Sequence, residues 1–474
     1  MNVRLYDTRQ QAIVDFEPLE AGKVGIYVCG PTVQSSPHIG HLRSAVVYDL
    51  WRRWLGYRGF DVTLVRNVTD IDDKILANAS ASESGEQWWA LAYRYELEFT
   101  DGYRQLGILP PTYEPRATAS VTEMQNLISR LIERGHAYAA SDGSGDVYFD
   151  TASWPSYGEL TRQKPEDMVA ATDADPRGKR DSRDFALWKG HKPSEPVSSA
   201  WESPWGPGRP GWHIECSSMS ARYLGTAFDI HGGGLDLRFP HHENELAQST
   251  AAGDNYASYW VHNGLVNVNG QKMSKSLGNS IFASEFLELA RPLVVRYYLL
   301  SAHYRSTIDY HDGALVEAEA ALERIEVFFD RAERRLAGTR FAGSGAPVIP
   351  EAFAEAMDDD LSLPQALAVL HERVRSGNAA LDGEDLAVVA SIRGEVTAMT
   401  EVLGISPSAP EWAVAGSESA TTALASLVER LIEDRATARA ERNFDAADRI
   451  RDELAAAGIT VEDTPTGAHW SIEQ

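Results

Sequence analysis

Two cysteines, Cys29 and Cys216, are all that the 474 residues contain, and that scarcity excludes a secreted domain stapled by disulfides. Long apolar runs are missing too. No stretch approaches the roughly 20 uninterrupted apolar residues that a membrane helix requires. The first 20 residues carry charges and Pro18 where a signal peptide would place its apolar segment, so the protein is expected to be cytoplasmic. Basic residues are outnumbered, 44 Lys and Arg against 69 Asp and Glu, for a formal charge of −25. Such a balance excludes a protein that coats nucleic acid indiscriminately, although a local basic patch could still hold phosphate. No internal repeat or low-complexity tract is visible. With 43% hydrophobic and 24% charged residues, the chain is long enough for two to four globular domains.

The segment Lys23 to Cys29 reads as a buried strand ended by Gly30-Pro31-Thr32. A loop leads to His38-Ile39-Gly40-His41 and an apolar-periodic run from Leu42 to Leu55, and Phe60 to Val65 is a second strand. Strand, loop, helix and strand make a βαβ unit and imply a parallel sheet. Ser120 to Gly135 is an amphipathic helix, and Asp142 to Gly211 breaks into short strands rich in Pro, Gly and Trp, as an insertion would. The sheet signal returns with Ala227 to His231, ending in Gly232-Gly233-Gly234, which reads as a tight loop or a close backbone approach to a ligand. Leu246 to Ala252 and Phe282 to Leu300 are expected as helices, and the chain is strongly helical beyond Asp312. Thr339 to Pro350 and Ser406 to Thr421 read as linkers around a helical bundle, followed by two helices and a strand, Gly458 to Val461.

Two constellations carry chemistry. His38 and His41 arrive at the start of a helix after a strand, where unpaired N–H groups and a partial positive charge attract anions. There the imidazoles could stabilise charge developing on a phosphate. Taken singly, a His-x-x-His is surface or core chemistry. The second is Lys272-Met273-Ser274-Lys275-Ser276 with Leu277-Gly278-Asn279. Its two lysines, three apart in a loop flanked by Ser and Gly, could clamp a polyphosphate as compact point charges.

Both signatures, in this order on a parallel-sheet framework, resemble those of class I aminoacyl-tRNA synthetases. The resemblance narrows to cysteinyl-tRNA synthetases through Tyr27-Val28-Cys29-Gly30-Pro31-Thr32, the run Arg66 to Lys74, Gly211-Trp212-His213-Ile214-Glu215-Cys216 and Phe239-Pro240-His241-His242-Glu243-Asn244-Glu245. It covers essentially the whole chain. The implied substrates are L-cysteine, ATP with Mg²⁺, and tRNA-Cys, with one Zn²⁺ per chain; a monomer is expected. His38, Gly40, His41, Lys272 and Lys275 match the family's ATP site, and His38, His41, Lys272 and Lys275 its catalytic groups.

On residue type alone, two cysteines 187 positions apart would be buried thiols. His241 and Glu245, four apart, would share a face if Pro240 starts a helix. Two thiolates, an imidazole and a carboxylate make a plausible tetrahedral zinc site, and the resemblance implies Cys29, Cys216, His241 and Glu245 as its ligands. Zinc suits the selection of cysteine. A hydrophobic pocket separates such close neighbours by only about 1–3 kcal/mol, whereas a borderline-soft ion discriminates sulfur from a hydroxyl and favours the thiolate. Thr69, Trp212, His231 and Asp236 match positions near the family's cysteine pocket; Trp212 and His231 could equally be core residues. Asp236 could pair with the substrate's amino group. Arg435, Arg439 and Arg442 fall at helical spacing on a region that the family uses to read the anticodon, with a solvated salt-bridged face as the competing account.

The expected fold is α/β. A Rossmann-like catalytic domain (1–118 and 206–265) is split by a connective insertion (119–205). A stem-contact segment with the lysine loop follows (266–338), then a helical bundle (351–405) and a small anticodon-binding domain (417–474). The implied reaction is adenylation of cysteine and transfer to the terminal ribose of tRNA. Two rivals remain at this point: a cysteine ligase of mycothiol synthesis and a non-catalytic tRNA-binding paralogue. Leu235 departs from the smaller or more flexible residue expected after the glycines.

Overall fold

The computed structural model describes residues 2–163, 177–273, 278–343, 347–412, 417–464 and 467–472. Lys23–Val28 is a central strand, as its buried Val24, Ile26, Tyr27 and Val28 require. It pairs in parallel with Asp61–Arg66 on one side and Ala227–Gly234 on the other, and Tyr256–Asn263 closes the outer edge. The chain thus leaves the central strand first to one side and later to the other. The carboxyl ends of Lys23–Val28 and Ala227–Gly234 flank the point where the winding reverses, the ordinary ligand position of such sheets.

The helix after the central strand, Ile39–Tyr57, starts at an N-cap on His38 and buries Leu42, Val46, Leu50 and Trp54. The three glycines do not form a loop. They are the last residues of the Ala227–Gly234 strand, paired with Val261, His262 and Asn263. A Cβ on Gly232 would collide with the Tyr48 ring, and one on Gly233 would come within 2.7 Å of His242. Glycine is there to admit neighbouring side chains. Leu235, next in sequence, is 44% exposed and disturbs no packing.

The insertion holds a four-stranded antiparallel sheet, Ala137–Ala139, Val147–Phe149, Phe185–Gly190 and Gly208–Pro210, preceded by the helix Val121–Glu133; the fourth strand lies past residue 205, where the insertion was expected to end. The single helix expected over Phe282 to Leu300 is two, Ala283–Glu288 and Pro292–Leu300. Pro292 has no N–H to continue the first helix and instead opens the second. Ala314–Leu336 leads to the bundle Glu351–Asp358, Leu363–Asp382 and Leu386–Leu403. The bundle is tied to the Ile39–Tyr57 helix. Trp54 Nε1 donates to Asp358 at 3.1 Å, and the buried Arg296 guanidinium joins Asp49 (2.5 Å) to the Leu403 carbonyl (3.0 Å).

Residues 1–407 form one compact unit and 408–474 another. The second is built from helices Ser417–Ala440 and Phe444–Ala456 and a hairpin, Ile459–Thr464 with Gly467–Ile472. Its core gathers Val428, Leu454 and Ile459. The helix begins at Ser417, inside the stretch expected as a linker to Thr421. The single short strand expected at Gly458 to Val461 is the first arm of that hairpin.

Candidate active site

Cys29 follows the central strand, its N–H donating to the Gly232 carbonyl at 3.0 Å as the last rung of parallel pairing. Cys216 sits on the helix Trp212–Leu224. His241 lies in the irregular turn Arg238–His242, and Glu245 four residues on, in the helix Glu243–Ala251. Strand end, helix and turn bring the four donor atoms within 4.8 Å of one another. Cys29 Sγ is 3.2 Å from Glu245 Oε1, His241 Nε2 is 3.1 Å from that oxygen, and Cys216 Sγ is 3.5 Å from His241 Nε2.

Burial dominates the electrostatics of this cluster. It pushes the Cys29 thiol well up and Cys216 to about 11, and lowers His241 to about 4. Burial also opposes ionisation of Glu245, but His231 and His241 outweigh it and hold the carboxyl below its usual range. Two thiols, a neutral imidazole and a carboxylate, converging with their donor atoms inward, fit a zinc ion, which would favour the thiolate forms. A second group, Cys29, His231, His242 and Glu245, overlaps the first. It offers one thiol instead of two, and His231 Nε2 is already engaged with Glu245 Oε2 at 2.8 Å.

The other residues expected in the cysteine pocket divide. Trp212 stacks on His241 with centroids 4.1 Å apart, and Trp212 and Asp236 line the cavity. Thr69 and His231 are buried behind it. Thr69 Oγ1 donates to Glu215 at 2.6 Å, and His231 braces Glu245. Sequence reasoning missed three supports, which are Tyr256, Asn67 and His213. Tyr256 donates to Glu245 Oε2 at 2.7 Å, Asn67 Oδ1 lies 3.6 Å from Cys216 Sγ, and His213 Nδ1 lies 2.9 Å from His241 Nδ1. A signal existed only for His213, one helical turn before Cys216.

At the other end, His38 and His41 cap the Ile39–Tyr57 helix reciprocally. His38 Nδ1 accepts from the Gly40 N–H and His41 Nδ1 from the His38 N–H, both at 3.1 Å. The rings stack at 3.7 Å. Since Nδ1 accepts in each, the neutral ring carries its hydrogen on Nε2. A Cβ on Gly40 would stand 3.0 Å from the His38 ring and 3.4 Å from Met273, so glycine permits this close stacking. Lys272 ends the short strand Gln271–Lys272, paired with Val266–Val268. Lys275 lies outside the described residues.

A single cavity of about 410 Å³ joins these ends. Its lining includes Cys29, Trp212 and Asp236 as well as His38, Gly40, His41 and Lys272. Arg435 and Arg439 are on the helix Ser417–Ala440 of the second unit. Arg442 is not on that helix, contrary to the expected stripe. It adopts a left-handed φ of 60° in the turn before Asn443, which caps the next helix by accepting from the Ala446 N–H at 3.2 Å. No helix among the described residues is long and apolar enough to cross a membrane.

Residues 15–320 match the model of the class I (C) tRNA synthetase catalytic domain, 352–406 a DALR domain, and 421–470 the cysteinyl-tRNA ligase anticodon-binding domain. Over the full length of both chains, the sequence is 72% identical to a cysteine–tRNA ligase of Leifsonia xyli subsp. xyli and 60% identical to one of Micrococcus luteus. The fold is similar to a Mycobacterium tuberculosis methionyl-tRNA synthetase in complex with methionyl-adenylate. That likeness has a TM-score of 0.58 at 16% identity, covering 81% of this chain and 90% of that one. The chain belongs to the cysteine–tRNA ligase family of class I aminoacyl-tRNA synthetases.

Proposed function

We propose that the cavity performs the family's reaction, the activation of cysteine by ATP and its transfer to tRNA-Cys, with the two ends in separate roles. The observation that carries this reading is the single cavity lined by Cys29, Trp212 and Asp236 together with His38, His41 and Lys272. A substrate seated at one end would hold its carboxylate near a phosphate at the other, which is the positioning an acyl adenylation needs.

Cys29, Cys216, His241 and Glu245 would hold one zinc ion. When bound, it supplies a borderline-soft Lewis acid that prefers a thiolate to a hydroxyl and so selects cysteine over serine. Trp212 covers the substrate side, and Asp236 pairs with the α-ammonium. Thr69 and His231 act from behind, through Glu215 and Glu245. Gly40 lets the nucleotide approach the helix start. His38 and His41 donate from Nε2 to the α-phosphate while the cysteine carboxylate oxygen attacks phosphorus and pyrophosphate leaves. Lys272 and Lys275, with the Mg²⁺ that accompanies ATP, balance the charge of the departing pyrophosphate. A hydroxyl of the terminal tRNA ribose then attacks the carbonyl carbon, and AMP departs.

We assign the binding of tRNA to the second unit, through Arg435 and Arg439 on its first helix and Arg442 in the turn after it, and keep the expected domain limits except that the insertion runs on to Pro210. The protein is expected to act as a cytoplasmic monomer. Cysteine-dependent exchange of pyrophosphate into ATP, followed by charging of tRNA-Cys, tests the reading. Exchange driven by serine as well as by cysteine, or charging that fails with tRNA-Cys present, would overturn it.

A further inference from the structure

We infer that His213 is a positioning residue that fixes the tautomer and ring plane of His241, and so sets how tightly the proposed metal is held. The inference rests on the zinc reading above and adds a residue to it.

The geometry leaves little freedom. His241 presents Nε2 toward Cys216 Sγ (3.5 Å) and Glu245 Oε1 (3.1 Å) and Nδ1 toward His213 Nδ1 (2.9 Å). Two ring nitrogens that close share one hydrogen, so one donates and the other accepts. A ligand imidazole needs its Nε2 lone pair for the metal, which puts the hydrogen of His241 on Nδ1. His213 must then accept at Nδ1 and carry its own hydrogen on Nε2. An acceptor at the far nitrogen raises the basicity of the ligating one and orients the ring. Here the acceptor is a second neutral imidazole in place of the usual carboxylate or carbonyl.

His213 is itself held firmly. It shares the helix Trp212–Leu224 with Cys216, one turn ahead of it, and its ring meets the Phe185 ring edge-on at 5.5 Å. Its backbone carbonyl accepts from Gln248 Nε2 at 2.9 Å, a residue on the helix that carries Glu245. Trp212 covers one face of His241 at 4.1 Å with planes 19° apart. The His241 ring is therefore fixed at its Nδ1 edge by His213 and on one face by Trp212, before any metal arrives.

The test compares purified wild type, His213→Phe, His213→Asn and His213→Gln. Zinc affinity by chelator competition is the main readout, and the visible spectrum of the cobalt-substituted protein checks the ligand set. His213→Phe should bind zinc about 10–100-fold more weakly, the usual cost of a lost outer partner. The better amide variant, which keeps a carbonyl acceptor, should recover most of that loss. Nitrogen-15 spectra of histidine-labelled wild type should show His241 protonated at Nδ1 and His213 at Nε2, a readout that needs no variant to fold. Wild-type zinc affinity in His213→Phe, or equal losses in all three variants, would overturn the inference while leaving the zinc reading intact; reversed tautomers in the zinc-loaded protein would take His241 out of the ligand set and overturn both. Zinc absent from the wild type would remove both.

Discussion

The two ends of the cavity are built by opposite means. At the sulfur end, Cys216, His241 and Glu245 are fully buried, and each is held by a second layer: Asn67, His213, and the pair His231 and Tyr256. At the phosphate end, His38 and His41 are held by backbone N–H groups at a helix start, and Lys272 is exposed on a two-residue strand. The difference follows from what each end must do. Choosing sulfur over oxygen needs donors whose positions do not relax toward the wrong substrate. Accepting ATP and releasing pyrophosphate needs charge that a bulky polyanion can reach and leave. A fault at the sulfur end should therefore damage selection, and a fault at the phosphate end should damage rate.

The largest effect is expected at the sulfur end. Cys216→Ser should lose its zinc by elemental analysis and drop kcat/KM for cysteine by ~10³-fold or more, with discrimination against serine falling alongside. Full zinc content in that variant would break the contrast. Next comes the phosphate end. Lys275→Ala should slow adenylate formation by about 10²-fold while leaving cysteine and zinc affinity near wild type. A raised KM for cysteine with an unchanged kcat would assign the lysine to the wrong end.

How much of this was legible in the chain depends on whether a contact is local. The βαβ unit, the histidine pair and the His241–Glu245 spacing follow from period and motif, and these were readable. The rival cysteine ligase of mycothiol synthesis was not excluded by motif alone; the match of residues 421–470 to an anticodon-binding domain and the full-length relatives exclude it. The second layer was not readable, because Tyr256 and His231 reach Glu245 from neighbouring strands that only the sheet order brings together. The tight loop expected of the glycine triplet failed for a related reason. Gly233 serves His242, nine residues on, and Gly232 serves Tyr48, on another helix. The helical placement of Arg442 failed because the spacing was extended across a chain reversal, where Asn443 caps a new helix.

A smaller effect should come from Gly40→Ala. Alanine in a helix is worth up to about 1 kcal/mol over glycine, so the variant should be at least as stable as wild type. Its methyl group would press on the His38 ring from 3.0 Å. A ring displaced by even a fraction of an ångström weakens aligned donation, and pyrophosphate exchange should fall about 10-fold with zinc affinity unchanged. Thermal denaturation together with exchange kinetics reads both quantities. A slower and also less stable variant would mean that the phosphate end is as tightly packed as the sulfur end.

The smallest effect should appear where neither end is touched. Asp73, in the first turn of the helix Asp73–Ser80, joins the insertion through Lys189 at 2.7 Å and through Arg209. Burial pushes its carboxyl up, but Lys189 and Arg209 outweigh that and hold it at about 2. A folded value below the unfolded one, ~3.9, means that the carboxylate stabilises the fold above pH 4. The contribution fades as pH falls from about 4 toward 2. The side chain is 42% exposed, so solvent screening keeps that contribution below ~1 kcal/mol. Asp73→Asn should therefore lower the Tm at pH 7 by about 1–2 °C, by less in high salt, and the gap to wild type should close as pH approaches 2. Zinc content and exchange rate should stay within about twofold, since the ion pair meets none of the donor atoms at either end. A large loss of cysteine selection in this variant would show that the sulfur end depends on how the insertion is held, and that its buried second layer is not sufficient.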